Sequence, residues 1–79
     1  MKTNAKFYHA GCPVCFEAEK MILDTIDRER YDLEVVHLGE DKDRIAEAES
    51  TGVRSVPALS IGDNTFHINF GASIEDLKG

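Results

Sequence analysis

The sequence predicts a small α/β fold with the element order β-α-β-α-β-β-α, a four-stranded mixed sheet flanked by helices. Two observations carry this. A helical stretch of more than ten residues separates two strand-like runs, which is the length a right-handed parallel crossover requires. Further along, two short strand-like runs are divided by Gly62-Asp63-Asn64, the chemistry of a hairpin turn. With 79 residues, the chain fits a single domain, residues 1–79, around one modest core.

Taken in order, Ala5-Lys6-Phe7-Tyr8-His9 is an aromatic run ending at Ala10-Gly11, a first strand entering a tight turn. Pro13 follows at the first position of a helix, where its missing N–H would have no partner anyway. From Val14 to about Asp27, the residues Val14, Ala18, Met21, Ile22 and Ile26 keep helical spacing. Leu33 to Leu38 is rich in β-branched and apolar residues and predicts the second strand. Asp41 to Ser50 predicts a helix stopped by Gly52. Its apolar stripe, Ile45 with Ala48, is thin, so it is expected on the surface rather than deep in the core. Pro57 is expected to start the third strand, Ala58 to Ile61, because a proline cannot donate within a sheet. Thr65 to Phe70 completes the hairpin, and Ser73 stands at the N-cap of a short last helix through Leu77.

Composition narrows the function. A formal net charge of -6 argues against a nucleic-acid or anionic-membrane partner, since both are recognised by clustered Lys and Arg. No run is apolar and long enough for a membrane span or a signal peptide, so the expected compartment is the cytoplasm. There the two cysteines are not expected to be a passive staple. Random placement would leave a pair three residues apart in only about one arrangement in forty.

Cys12-Pro13-Val14-Cys15 lies where the first strand hands over to the first helix. A thiol must ionise to attack a disulfide, and a helix N-terminus offers unpaired N–H groups and a positive dipole end that favour the thiolate. Cys12 precedes the helical residues, whereas Cys15 is already inside the first turn, so Cys12 is the expected attacking thiol and Cys15 its resolving partner. The helix terminus contributes about 1 kcal/mol, up to about 2 when partly buried, and about 1.4 kcal/mol moves a pKa by one unit. The opposing acidity is spread over a surface where salt screens charges beyond about 8 Å. The local effect should win. The bland alternative is half of a metal site, but a lone C-x-x-C supplies two of about four ligands, His9 could be a third, and no fourth is evident. No metal is therefore assigned. His37 and His67 are expected to be exposed or hydrogen-bonded structural residues, and Phe7, Tyr8, Phe16 and Phe70 to make core or rim contacts.

These motifs together resemble glutaredoxin. Cys12-Pro13-Val14-Cys15, then Thr51-Gly52-Val53-Arg54-Ser55-Val56-Pro57 and Ile61-Gly62, are similar to that family over nearly the whole chain. The resemblance implies a thioredoxin-like fold, a cis Pro57, no tightly bound cofactor, and disulfide exchange with glutathione as co-substrate. It also implies a glutathione-binding set. In the family a basic side chain three residues before the first cysteine holds a glutathione carboxylate, which here is His9. Pro13 and Pro57 frame the site with Arg54, the backbone of Val56 pairs with the tripeptide, and Ser73 with Glu75 or Asp76 faces its glutamyl end. The family's Gly-Gly pair before the last helix is Gly71-Ala72 here. The expected partners are protein or small-molecule disulfides, and the expected state is a monomer. Three alternatives stand beside this: a thioredoxin-like electron donor reduced by a flavoprotein reductase, a metal or iron-sulfur carrier acting through Cys12, and a redox-silent adaptor.

Overall fold

The computed structural model describes residues 3–11, 13–62 and 64–78, with backbone alone for Asn69 and Phe70. The expectations for Cys12, for the turn residue Asp63 and for the ring of Phe70 lie outside the described residues. The elements are β1 (Thr3–His9), α1 (Pro13–Thr25), β2 (Tyr31–His37), a 3-10 turn (Lys42–Arg44) leading into α2 (Ile45–Thr51), β3 (Ser55–Ile61), β4 (Asn64–Ser73) and α3 (Ile74–Lys78). They form a four-stranded mixed sheet in the order β2-β1-β3-β4. β1 and β2 are parallel, while β3 is antiparallel to both β1 and β4.

Strand alternation divides the interior into two layers. Ala5 and Phe7 of β1 join Leu59 of β3 and Ala18 of α1, with Ile22, Ile26, Leu33 and Ile68 packed around them. Tyr8, on the opposite face of β1, joins Val36, Ile45, Ala48, Val56, Ala58 and Ile74. Asp27 turns the chain from α1 into β2: its side chain accepts from the Glu29 N–H at 2.9 Å, and its carbonyl accepts from Arg30 and Tyr31.

Two expectations are corrected by this packing. The thin stripe of α2 is buried, not superficial, with Ile45 and Ala48 both in the core. A small residue facing the sheet lets the helix backbone approach closely, so a narrow stripe suffices. Its first turn is also tighter than expected, a 3-10 turn rather than α-helix. Second, Pro57 sits within β3 rather than starting it. The ladder with β4 shifts between Val56 and Ala58, and pairing with β1 reaches only Ala58, so no ladder bond is asked of the proline nitrogen.

One polar network, partly exposed, closes the second layer around the buried Tyr8. The Tyr8 hydroxyl donates to Glu47 Oε2 at 2.9 Å. Arg44 joins the same carboxylate at 2.9 Å and Glu34 at 2.8 Å, and Lys6 approaches Glu47 at 3.2 Å. The Arg44 guanidinium, helped by Tyr8 and Lys6, pulls the Glu47 pKa down to about 2. Burial and then the Glu47 carboxylate push Tyr8 up to about 12.

Candidate active site

Three elements converge on the N-terminal tip of α1. Cys15 lies in the first turn of that helix, has no solvent exposure, and is in a disulfide. The only other cysteine in the sequence is Cys12. The first turn of α1 carries no acidic side chain, so nothing in it opposes the positive end of the helix dipole. Pro13 opens the helix and is exposed.

Val56 belongs to the same buried cluster as Cys15, which brings the start of β3 beside the helix tip. The Val56–Pro57 peptide bond is cis, and both residues are buried. Across the ladder, Val56 pairs with Ala72 and Ser55 with Ser73. The Ser73 hydroxyl accepts from the Asp76 N–H at 3.1 Å and caps α3. Arg54 is exposed; its N–H donates to His67 Nε2 at 3.1 Å, and its carbonyl accepts from the Ile74 N–H. Cys15, Val56 and Pro57 are thus brought together, with Ser73 one strand away.

His9 is placed differently from a ligand-reaching side chain. It is 4% exposed, its ring stacked on Phe7 and tilted against Phe16, with Nε2 facing Glu19 of α1 at 3.9 Å. Its Nδ1 accepts from the Gly11 N–H at 3.3 Å. Burial, and next the neighbouring His37, lower its pKa from the ordinary histidine value, against the opposing pull of Glu19 and Glu40. Both ring nitrogens therefore face the protein, because the strand turns this position onto the α1 face between helix and sheet.

Sequence reasoning assigned no role to His37 or Glu19, yet both pack directly around His9. His37 lies with its ring centroid 4.5 Å from that of His9. No group of three or more His, Cys, Asp or Glu side chains that could hold a metal occurs among the described residues. Nor is any described helix long and apolar enough to cross a membrane.

No protein-family model matches the chain, and no match was found among curated proteins. Among solved structures, the chain is similar to a dimeric thioredoxin-like protein from Nitrosomonas europea, determined in solution by NMR. The two share 61% sequence identity with a TM-score of 0.93, and the match covers 100% of this chain and 99% of that one.

Proposed function

Because the chain belongs to the thioredoxin-like proteins, we propose that it is a thiol-disulfide oxidoreductase in which Cys12 attacks a substrate disulfide and Cys15 resolves the product. The observation that carries this is the disulfide at Cys15, in the first turn of a helix with no acidic side chain there. The Cys12 thiolate forms a bond to one substrate sulfur and expels the other as a thiolate. Cys15, on losing its proton, then attacks the Cys12 sulfur, closing the intramolecular disulfide and releasing the second substrate thiolate. Two electrons pass to the substrate, and two glutathione thiols return them, leaving glutathione disulfide.

In the Cys12→Ser variant, catalysed reduction of a model disulfide should be abolished, and a retained rate would overturn the assignment. Cys15→Ser should trap the mixed disulfide or keep only a glutathione-dependent activity. The burial of His9 favours a second reading, an electron donor served by a flavoprotein reductase, since a side chain turned inward is not disposed to hold a glutathione carboxylate. Turnover with glutathione and its reductase, against turnover with thioredoxin reductase, separates the two. The similar Nitrosomonas protein is dimeric, and we extend that state to this chain in place of the monomer expected from the sequence. Sedimentation of the purified protein checks it.

A further inference from the structure

The two parallel strands β1 and β2 end in the same short pattern, His9-Ala10-Gly11 and His37-Leu38-Gly39. His9 stands directly opposite His37 in the ladder, so both imidazoles leave the same face of the sheet. Each ring uses Nδ1 as an acceptor: His9 from the Gly11 N–H at 3.3 Å, and His37 from the Glu40 N–H at 3.2 Å. A neutral imidazole has one acceptor nitrogen, so in both rings the proton sits on Nε2.

His37 is also clasped by the two glycines. A Cβ at Gly11 would lie 2.9 Å from His37 Nε2, and Gly11 has φ +81°, a conformation that disfavours side chains. A Cβ at Gly39 would lie 2.8 Å from Cε1 of the same ring. Gly11 is the residue bonded to Cys12. The pair of rings thus braces the backbone that leads into the dithiol.

Resting on the dithiol reading above, we propose that His9 and His37 are positioning residues that hold the Gly11 turn next to Cys12, and that the hold is lost when His9 takes up a second proton. A second proton can enter the His9 ring only at Nδ1, where it converts an acceptor into a donor facing the Gly11 N–H. The groups that face His9 are His37 from β2, Glu19 from α1 and Glu40 from the loop after β2. The two carboxylates favour the cation, but Glu19 already faces Nε2, which carries a proton in both states. Burial and the second imidazole oppose the charge. Acidification therefore releases the Gly11 N–H, on the residue that precedes Cys12 in the sequence.

The test is the alkylation rate of Cys12 in the reduced protein, followed by mass spectrometry from about pH 5 to about pH 8.5. An ordinary thiol slows about tenfold per pH unit below its pKa, because only the thiolate reacts. The wild type should fall more steeply than that where His9 titrates. His9→Asn keeps an acceptor oxygen near the Nδ1 position without titrating there, and it should restore the tenfold slope. A wild-type slope of tenfold overturns the proposal. So does a shallower one, which would mean that an imidazolium assists the thiolate. A second measurement needs no variant: in the oxidised wild type the Gly11 amide proton should shift in NMR spectra with the His9 ring protons, and an amide that stays still overturns the proposal. Absence of disulfide exchange in the wild type would sink the dithiol reading while leaving this titration to decide the bracing.

Discussion

Replacing Tyr8 with Phe removes a single buried oxygen at the edge of the second core layer and should change the pH dependence of stability in a way no packing defect can. Tyr8 has no exposure, and its hydroxyl donates to Glu47 at 2.9 Å. Its pKa rises from 10.0 to about 12, chiefly because burial penalises the phenolate. Between those values the unfolded chain releases a proton that the folded chain keeps, so stability is intact below about pH 10 and is lost as the pH rises toward 12. At about 1.4 kcal/mol per unit, the full loss is about 2 to 3 kcal/mol, most of it reached by about pH 11.5. At neutral pH the variant gives up a hydrogen bond to a carboxylate, worth about 1 to 2 kcal/mol when Arg44 and Lys6 remain to hold Glu47. The two stability curves should therefore converge and then cross on the alkaline side. Urea unfolding of the oxidised proteins, followed by circular dichroism at stepped pH, measures this. Parallel curves for wild type and Tyr8→Phe above about pH 9 would refute the placement of a buried, carboxylate-bonded phenol.

On the acid side, Glu47 is held at about 2 against an ordinary 4.5, so it contributes stability above about pH 4.5 that is lost as the pH falls toward 2. Its side chain is 37% exposed, and screening reduces the contribution to about 1 kcal/mol; Glu47→Gln should flatten that part of the acid unfolding curve. Gly39→Ala should cost about 1 to 3 kcal/mol in urea unfolding, because the new Cβ would meet His37 Cε1 at 2.8 Å and the Ala10 carbonyl oxygen at 3.0 Å. Ala48→Leu should cost about 1 to 3 kcal/mol by overpacking a fully buried position of α2, with a lowered thermal midpoint as the measure.

Much of the architecture was legible because its signals are local. The spacing of Ala18 and Ile22 marks the face of α1 that packs on the sheet, Gly52 terminates α2 with its N–H bonded to the Ala48 and Glu49 carbonyls, and Ser73 caps α3. The errors arose where tertiary contact overrode a local rule. Pro57 reads as a strand boundary until β4 shifts its register around it. Ile45 and Ala48 read as too small a stripe until the opposing sheet face supplies Tyr8 and Val36 to pack against them.

The site divides along the same line. Cys12 and Cys15 are three residues apart in the sequence, so their spacing alone points to the proposed chemistry. His9 and His37 are 28 positions apart, and only the parallel pairing of β1 with β2 makes them neighbours. A signal for them was nevertheless present, since His-X-Gly occurs at the end of each of two successive strand-like runs. A βαβ crossover brings two such strands side by side and in the same direction. With the β1 and β2 ends in register, the histidines must meet on one face, and each glycine then leaves the space that a ring can fill. Reading the ends of parallel strands as a pair, rather than each strand alone, would have drawn both histidines to the turn that leads into Cys12.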